Sequence, residues 1–289
     1  MIGPASNRFV SQRLKLHYVE WGNREAPPLI LLHGGKDHCR SWDWTAEKFA
    51  KDWRIIAPDL RGHGDSEWSP DGEYPMHGFV YDLAQLIHLL DLTPVTIVAH
   101  SLGGNVALRY AGLYPDNVKK LVAIEGLGPS PEMIEKIEAR PRAERLRDWI
   151  DAKRSASKRT PKKYETLEDA LTRMKGANDF LSDEQARHLT VHGATQNEDG
   201  TWSWKFDPYL QQSFGSVDIP RADQHAIWAD ITCPTLLVYG AKSWASNPAE
   251  DGRIEYFKND PTVELFKEAG HWVHHDQFEK FSVMLSKFL

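Results

Sequence analysis

Residues 95–113 constrain the fold of this chain more than any other stretch. A β-branched and apolar run, residues 95–99, is followed within two residues by Ser101, and a helix-like segment, residues 105–113, follows at once. Small residues stand two positions before the serine and two positions after it, as Ala99 and Gly103. A strand can turn sharply into a helix at such a place, and the serine hydroxyl then projects beside the amino end of the helix. The stretch predicts a strand–turn–helix unit with Ser101 at its apex.

Two interpretations of Ser101 are open. In the first, the serine is a nucleophile on a G-x-S-x-G turn in which Ala99 replaces the first glycine. In the second, it is an ordinary helix N-cap whose hydroxyl accepts a hydrogen bond from the first turn of the helix. A buried strand before the serine and a helix after it are the context that a nucleophile turn requires, and this context favours the first interpretation.

Short apolar runs alternate with helical patterns at both ends of the chain. Continuous apolar runs are typical of parallel strands that are buried on both faces, and they occur at residues 29–32, 55–57, 96–99, 121–124 and 236–239. Apolar residues have helical spacing in residues 79–90 and 278–289. Residues 14–20 alternate between apolar and polar, which predicts an edge strand at an antiparallel start of the sheet. The sequence therefore predicts an α/β fold with a doubly wound, mostly parallel sheet flanked by helices.

The segment from residue 128 to residue 231 breaks this alternation. It contains no clear buried-strand run and carries many basic residues between Arg140 and Lys163, mixed with acidic ones. Leu146, Trp149 and Ile150 are spaced as on one side of a helix. We expect a mostly helical insertion that lies over the sheet. The basic run is interpreted as a solvated helix face, and a ligand-binding patch is the alternative.

Charge and cysteine content restrict the class of protein. The chain has 35 Lys and Arg residues against 41 Asp and Glu residues, and its net charge of −6 argues against a nucleic-acid or anionic-membrane partner. Cys39 and Cys233 match no metal-binding spacing and suggest reduced thiols in the cytoplasm. No apolar stretch approaches the roughly 20 residues that span a bilayer, and residues 1–10 lack the apolar region of a secretory signal. We expect a cytoplasmic protein without a membrane partner, a metal or an organic cofactor.

A glycine-containing loop follows the predicted strand at residues 29–32. It begins His33-Gly34-Gly35, and glycines let a backbone approach a ligand closely. Backbone amides near Gly35, together with the amide of Leu102, can form an oxyanion hole beside Ser101. A plain glycine turn at the end of the strand is the alternative interpretation.

Histidines in two other loops differ in their predicted roles. His271 follows a strand-like run at residues 262–266, and a histidine on such a loop can reach Ser101 and act as a general base. His274 and His275 are rival bases, but they stand where the last helix begins, and we expect each to be a surface residue. His63, in a loop rich in turn-forming residues, is predicted to pack within that loop.

These motifs together resemble the α/β-hydrolase superfamily, and within it the serine-hydrolase-like proteins. The resemblance covers about residues 14–127 and 232–289. It rests on His33-Gly34-Gly35, Asp59-Leu60-Arg61-Gly62-His63-Gly64-Asp65-Ser66, Ala99-His100-Ser101-Leu102-Gly103 and Gly270-His271-Trp272. The resemblance implies an α/β-hydrolase fold with a core domain of residues 1–127 and 232–289. It also implies that residues 128–231 form a helical cap domain, inserted after the sixth strand.

The third member of the predicted triad departs from the commoner pattern of the superfamily. Many members carry an aspartate just after the seventh strand, but this chain has Ser243 there, which cannot supply a negative charge. The superfamily also uses an acid at the end of the sixth strand, and Glu125 stands at that place. An acid at a buried strand end is costly unless it has a partner, so we assign Glu125 to orient His271. Asp251 and Glu250 are the fallback acids.

The nucleophile indicates the type of reaction. In the superfamily, members that open epoxides or displace halide through an ester intermediate use an aspartate where this chain has Ser101. A serine indicates acyl transfer, and carboxylic esters or lactones are the simplest substrates, as for a carboxylesterase. Hydrolysis of C–C bonds, a perhydrolase activity and a ligand receptor built on the same scaffold remain alternatives.

Several tryptophans lie close in sequence to the predicted catalytic groups. Trp42, Trp44, Trp244 and Trp272 are in or near predicted strand-end loops, and they are candidates for the wall of an apolar substrate pocket. Packing between the cap and the core is an equally good interpretation of these side chains.

Overall fold

An eight-stranded sheet and a separate two-stranded sheet form the β-structure of the described residues. The computed structural model describes residues 3–156, 159–210 and 219–289. Its strands are β1 (Ala5–Ser11), β2 (Leu14–Trp21), β3 (Pro28–Leu32), β4 (Arg54–Pro58), β5 (Val95–His100), β6 (Val118–Ile124), β7 (Ala194–Gln196), β8 (Trp202–Trp204), β9 (Thr235–Gly240) and β10 (Thr262–Phe266). Its α-helices are α1 (Asp43–Phe49), α2 (Met76–Leu89), α3 (Leu102–Leu113), α4 (Pro131–Glu138), α5 (Arg142–Ala156), α6 (Leu167–Lys175), α7 (Asp183–Gly193), α8 (Arg221–Ala229), α9 (Val273–Asp276) and α10 (Phe278–Phe288).

The main sheet has the strand order β1-β2-β4-β3-β5-β6-β9-β10. Neighbours from β4 to β10 are parallel, whereas β1 and β2 form an antiparallel start. The predicted apolar runs lie in β3, β4, β5, β6 and β9, so the mostly parallel α/β sheet is confirmed. The prediction that residues 14–20 form the edge was wrong, because β1 pairs with the outer side of β2. β1 is mostly exposed and polar, which hides its strand character in the sequence.

Alternate side chains of the central strands enter two separate hydrophobic clusters. In β5, Ile97 and Ala99 join the cluster that includes side chains of α2 and α3, whereas Val98 joins the cluster that includes side chains of α1 and α10. Side chains of a strand alternate between the two faces of a sheet, so the clusters lie on opposite faces. Burial on both faces explains why these strands read as continuous apolar runs.

The junction between β5 and α3 packs tightly against the end of β6. A Cβ atom on Gly104, in the first turn of α3, would lie 2.7 Å from the Cα atom of Gly126. A Cβ atom on Gly126 would in turn lie 2.8 Å from the Cα atom of Gly104. Real Cβ atoms do not approach backbone this closely, so both positions require glycine. The contact brings the residues that follow β5 and β6 next to each other.

The segment between β6 and β9, which we call the insertion, interrupts the alternation of sheet strands and helices. It contains α4 to α8 and the small β7–β8 sheet. Its helix α7 contacts loops of the main body: the Leu189 carbonyl oxygen accepts a hydrogen bond from His38 Nε2 at 2.9 Å, and Gln185 Nε2 donates to the His275 carbonyl oxygen at 3.1 Å. Residues 157–158 and 211–218 of the predicted cap lie outside the described residues.

The last part of the predicted cap packs with the main body of the protein. Helix α8 contacts α3, and Trp228 and Ile231 belong to the same hydrophobic cluster as α2 and α3. The Trp228 ring stacks on Phe257, with ring centroids 5.5 Å apart. Among the described residues, no helix has both the length and the apolar character that crossing a bilayer requires.

The basic run of the insertion lies largely on the exposed helix α5. Arg140 pairs with Asp148 at 2.6 Å and Arg154 pairs with Asp151 at 3.2 Å, and all four side chains are more than half exposed. These surface pairs fit the interpretation of a solvated helix face. Lys158 lies outside the described residues.

We expect the Gly126→Ala substitution to lower the free energy of unfolding by about 1–3 kcal/mol, the usual cost of adding a methyl group to a closed contact. Urea denaturation measures this change. Gly176→Ala is the matched control, because its Cβ atom would lie 3.6 Å from the nearest carbonyl oxygen, an ordinary contact. Equal stability of Gly126→Ala and the wild type would contradict the close packing of β6 against α3.

Candidate active site

The candidate catalytic residues lie at the carboxyl ends of neighbouring parallel strands. Ser101 follows β5, Glu125 follows β6, Ser243 lies just beyond β9, and His271 lies in the loop after β10. These strands are adjacent in the sheet in that order. Because parallel strands all end at the same edge, residues that are far apart in sequence converge there.

The backbone at Ser101 has the sharp turn that the sequence predicted. Its φ is 52° and its ψ is −114°, and α3 begins at the next residue, Leu102. The amide of Ser101 donates to the carbonyl oxygen of Ile124 at 2.8 Å, which continues the β5–β6 pairing up to the serine. A positive φ is rare for a residue with a side chain and is characteristic of strained functional turns. The turn leaves the serine half-buried, with its Oγ 2.9 Å from Nε2 of His271.

Glu125 directly follows β6 and has a buried carboxylate. Its φ is also positive, at 52°, and its amide donates to the carbonyl oxygen of Val238 at 2.9 Å. The side chain has no exposed surface. Oε1 accepts a hydrogen bond from the Gly240 amide at 2.9 Å, and Oε2 accepts from Ser243 Oγ at 2.5 Å and from Nδ1 of His271. Several donors therefore share the charge that burial would otherwise leave unpaired.

His271 connects the acid to the nucleophile. Nδ1–H donates to Glu125 Oε2, which leaves Nε2 as the acceptor that faces the Ser101 hydroxyl. The hydrogen-bond partners assign this tautomer. The ring is one-fifth exposed, so a substrate can reach it from solvent. The backbone of His271 is held as well, because Nε2–H of His100 donates to its carbonyl oxygen at 2.9 Å.

His33 ties the predicted oxyanion loop to the loop after β4. Its Nδ1–H donates to the carbonyl oxygen of Gly34 at 2.7 Å, and its Nε2 accepts from the amide of Leu60 at 2.9 Å. Only a neutral imidazole can donate at one nitrogen and accept at the other. Complete burial lowers the pKa of His33 to about 3, which keeps the ring neutral.

Of the two predicted oxyanion amides, that of Leu102 follows the nucleophile in the chain, and that of Gly35 lies in a loop that approaches it in space. A Cβ atom on Gly34 would lie 3.2 Å from Cβ of Ser101, so the loop that leads to Gly35 runs directly beside the serine. Leu102 supplies the first amide of α3. The first amides of a helix have no acceptor within it, and they are available to an anion.

The fallback acids have other partners. Arg253 is buried, and its Nε donates to both carboxylate oxygens of Asp251 at 2.9 and 3.0 Å. The same guanidinium donates to the carbonyl oxygens of Leu127 and Gly128, which lie in the loop that follows Glu125. Asp251 thus holds a structural arginine. Glu250, the other fallback acid, accepts a hydrogen bond from Asn247 Nδ2 at 3.1 Å.

The four candidate pocket tryptophans are in different environments. Trp244 is 61% exposed, and its ring centroid lies 5.0 Å from that of His271. Trp42 is fully buried and stacks on His274, so it packs in the core and does not line an open pocket. The ring of Trp44 contacts His188 of α7 and His275, and Trp272 contacts His275. Trp44 thus belongs to the contact between the insertion and the main body.

Sequence reasoning missed three side chains at the site. Phe180, in the insertion, is 39% exposed and lies so near Gly270 that a Cβ atom there would be 3.0 Å from its ring. Ser243 donates to Glu125, and His100 holds the backbone of His271. The sequence did carry a signal for Ser243, because a serine stands there in place of the commoner aspartate. Nothing in the sequence signalled Phe180, because its approach depends on how the insertion folds over the site.

Buried imidazoles pack behind the site. The ring centroids of His100 and His274 are 4.7 Å apart, and those of His274 and His275 are 4.2 Å apart. The prediction that His274 and His275 are surface residues was wrong, since they are 2% and 5% exposed. Helix α9, which precedes α10, directs them inward, and His274 stacks on Trp42. Burial lowers the pKa of His275 to about 3 and the pKa values of His100 and His274 well below 6.5.

Two groups of described side chains have donor atoms suited to a metal ion, and the first is His17, Cys39 and Asp59. Hydrogen bonds already use the Asp59 carboxylate. Oδ1 accepts from the Cys39 amide at 2.6 Å, and Oδ2 is bonded to Nδ1 of His17 at 2.7 Å and to the amide of Asp65 at 2.9 Å. This group is a buried hydrogen-bond network, and we assign no ion to it.

The second group joins the insertion to the main body and consists of Asp43, His188 and His192. Nε2 of His188 lies 3.2 Å from Asp43 Oδ2. Arg40 donates to the same carboxylate at 2.6–2.9 Å, and its Nη1 is 3.4 Å from Nδ1 of His192. Burial alone would raise the pKa of Asp43, but hydrogen bonds from His188 and Arg40 hold it below its usual value. The arginine supplies the cation of this group.

Comparison with known proteins identifies related sequences and folds. Residues 27–278 match a family model described as the alpha/beta hydrolase fold. A serine hydrolase-like protein of Danio rerio is 32% identical over 181 residues, which cover 62% of this chain and 55% of that protein, about half its length. Epoxide hydrolase 4 of Homo sapiens is 26% identical over 294 residues, covering 98% of this chain and 77% of that protein. A thioesterase domain from the curacin biosynthetic pathway has a similar fold, with a TM-score of 0.84 at 22% identity, covering 99% of this chain and 100% of that chain.

The buried imidazoles predict a loss of stability in mild acid. The unfolded chain protonates these rings below their ordinary pKa of 6.5, whereas the folded protein keeps His33 and His275 neutral down to about 3 and His63 down to about 4. Unfolding therefore takes up protons in this window, and the free energy of unfolding is highest above 6.5 and falls as the pH falls. The slope of this pH dependence is proportional to the number of protons taken up on unfolding, and we expect His274→Phe to lower that number by about one near pH 5.

Urea denaturation at a series of pH values measures the slope. His77→Gln, which alters an exposed histidine at the start of α2, is the control and should keep the wild-type slope. A slope that is unchanged in His274→Phe would mean that His274 is not held neutral in the folded protein.

Proposed function

The chain belongs to the α/β-hydrolase family, and we propose that this hydrolase is a serine enzyme that cleaves carboxylic ester or lactone bonds through an acyl-enzyme. The observation that carries the proposal is the line of hydrogen bonds from Ser101 through His271 to Glu125. Ser101 Oγ lies 2.9 Å from Nε2 of His271, and Nδ1 of the same ring donates to the buried Glu125 carboxylate. This arrangement suits a serine that is activated by a neighbouring base.

The first half of the reaction acylates the serine. As Ser101 Oγ attacks the carbonyl carbon of the ester, its proton passes to Nε2 of His271. The ring becomes an imidazolium, and the Glu125 carboxylate, which accepts its Nδ1–H, stabilises the positive charge. The tetrahedral intermediate then collapses: the bond from the carbonyl carbon to the alcohol oxygen breaks, and the proton on Nε2 transfers to the departing alcohol. An acyl group remains on Ser101.

The oxyanion of this intermediate needs donors on the side of the serine away from His271. The amide of Leu102 at the start of α3 and the amide of Gly35 are our candidates. The close approach of Gly34 to Ser101 supports this assignment, because it brings the loop before Gly35 against the nucleophile. Donors that are fixed before the reaction cost no reorganisation, and one such donor is worth about 10²–10³ in rate.

In the second half of the reaction, water hydrolyses the acyl group on Ser101, and His271 again acts first as base and then as acid. Nε2 of His271, neutral again after the alcohol leaves, accepts a proton from a water molecule as the water oxygen attacks the acyl carbon. The second tetrahedral intermediate collapses with release of the carboxylic acid, and the proton on Nε2 returns to Ser101 Oγ. The exposed fraction of the His271 ring gives water access to this position.

The chemistry of a serine favours an ester over an epoxide substrate, although an epoxide hydrolase is among the relatives. Attack of Ser101 Oγ on an epoxide carbon would form an alkyl ether on the enzyme. An ether has no carbonyl carbon for water to attack, so the enzyme would stop after one turnover. Attack on a carbonyl carbon forms an ester, which the same histidine can help to hydrolyse.

Two aromatic side chains suggest an apolar substrate group. Trp244 lies beside His271, and Phe180 lies beside Gly270, the residue before His271. Both rings are partly exposed, and Lys242 Nζ lies 5.8 Å from the centre of the Phe180 ring. Exposed aromatic rings next to a reactive centre are suited to cover an apolar acyl or alcohol group. We therefore expect esters with an apolar acyl or alcohol group to be accepted.

The state of the cysteines bears on the cellular compartment of the protein. Cys39 and Cys233 are both free and buried. Free thiols fit a reducing compartment, and we propose the cytoplasm on this ground.

We expect Ser101→Ala to remove nearly all hydrolysis of a p-nitrophenyl short-chain ester, because the variant has no nucleophile to acylate. The fall in kcat should reach several orders of magnitude, with a residual rate from oxyanion binding. A fluorophosphonate should label the wild-type protein once, and peptide mapping by mass spectrometry should locate the label on Ser101. Label on another residue would contradict the assignment. A single stoichiometric release of p-nitrophenol without further turnover would favour a receptor or binding protein.

We expect Glu125→Gln to lower kcat greatly on the same ester, because the amide keeps the shape of the side chain but not its charge. The analogous change of acid to amide in a serine protease costs about 10⁴-fold, and we expect somewhat less here because water can partly substitute. Asp251→Asn is the matched control: it changes the partner of Arg253 and should reduce stability more than kcat. Full activity in Glu125→Gln with loss of activity in Asp251→Asn would reverse the assignment.

A further inference from the structure

We propose that Ser243 is a positioning residue that holds the Glu125 carboxylate in the orientation in which it accepts a hydrogen bond from Nδ1–H of His271. This inference rests on the proposed function, since it concerns how the acid of that site is aligned. The geometry that carries it is the shared oxygen: Oε2 of Glu125 accepts from Ser243 Oγ at 2.5 Å and also from His271. Ser243 touches the acid and acts on the reaction through it.

Two donors, one at the end of β9 and one in the turn after it, fix the carboxylate at both oxygens. The Gly240 amide donates to Oε1 at 2.9 Å, and Ser243 Oγ donates to Oε2. A carboxylate held at one oxygen alone can pivot about that hydrogen bond. Among the described residues, the other donor to Oε2 is His271, which is the group that the carboxylate has to orient. Ser243 therefore fixes Oε2 independently of the histidine. Neither the Gly240 amide nor the Ser243 hydroxyl carries a charge, and the negative charge of Glu125 therefore remains available to the imidazolium.

The local backbone fixes the direction of the serine hydroxyl. The amide of Ser243 donates to the carbonyl oxygen of Gly240 at 3.1 Å, which closes a tight turn directly after β9. The amide of Ala245 donates to Ser243 Oγ at 3.1 Å. A hydroxyl has one proton, and with an amide donating to its oxygen, the proton is directed to the remaining acceptor, the carboxylate. The serine is therefore an oriented donor before any substrate binds.

Substitutions at position 243 test this role on a p-nitrophenyl ester. We expect Ser243→Ala to lower kcat about ten- to a hundredfold, the range that corresponds to loss of one hydrogen bond to a charged group. KM should stay within about twofold, because the serine touches no part of the substrate. Ser243→Thr keeps the hydroxyl and should restore kcat to near the wild-type value. Ser243→Cys, with a weaker donor of similar shape, should give an intermediate kcat.

Ser246→Ala is the matched control in the same loop. Ser246 Oγ donates to Asp251 Oδ2 at 2.5 Å and accepts from Arg253, and within the residues that the structure describes it forms no hydrogen bond with Glu125 or His271. We expect its kcat to match that of the wild type. An equal fall of kcat in Ser246→Ala and Ser243→Ala would mean that disturbance of the loop causes the loss, and would overturn the proposal. An unchanged kcat in Ser243→Ala, or a rise in KM alone, would overturn it as well.

A proton NMR measurement separates this inference from the proposed function, because it needs no substrate. The Nδ1 proton between His271 and Glu125 should give a far-downfield signal in the wild type, in Ser243→Thr and in Ser246→Ala. In Ser243→Ala and in Ser243→Cys this signal should move upfield or broaden through exchange with water. An identical signal in Ser243→Ala and the wild type would overturn the positioning role. Failure of the wild type to hydrolyse any ester would instead contradict the proposed function, whatever the NMR signal shows.

Discussion

The hydrogen bond between the buried Glu125 carboxylate and His271 is the interaction on which the site depends. A carboxylate without exposed surface is unfavourable unless several donors share its charge, and Glu125 receives them from Gly240, Ser243 and His271. These donors come from the end of β9, from the turn after it and from the loop after β10. The same contact that stabilises the charge therefore ties the ends of β6, β9 and the β10 loop together.

The packing around the site holds two residues in a strained backbone conformation. Ser101 and Glu125 both have φ of 52°, a conformation that costs of order 1–3 kcal/mol for a residue with a side chain. The cost is sustained by their surroundings: the amide of each residue donates to the neighbouring strand, and Gly104 packs on Gly126 between them. The two strained residues are the ones to which the proposed mechanism gives chemical work, one as nucleophile and one as acid.

Sequence patterns predicted most of the sheet and much of the site, for identifiable reasons. Strands buried on both faces read as continuous apolar runs, so β3 to β6 and β9 were evident, whereas the polar edge strand β1 was not. Ser101, Glu125 and His271 stand in motifs tied to strand ends, and strand ends converge in a parallel sheet. The sequence did not predict contacts that depend on how the insertion folds or on the direction in which a short helix points its side chains. Phe180 reaches the site from the insertion, and α9 turns His274 and His275 inward although two adjacent histidines look like surface residues.

A crystal structure of the protein after reaction with a fluorophosphonate tests the central claim most directly, because the phosphonate imitates the tetrahedral intermediate of ester hydrolysis. The proposed mechanism predicts a bond from phosphorus to Ser101 Oγ. It also predicts that the phosphoryl oxygen lies within about 3.1 Å of the amide nitrogens of Gly35 and Leu102, with Glu125 still bonded to Nδ1 of His271. Phosphorus on another residue, or a phosphoryl oxygen that points away from both amides, would contradict it.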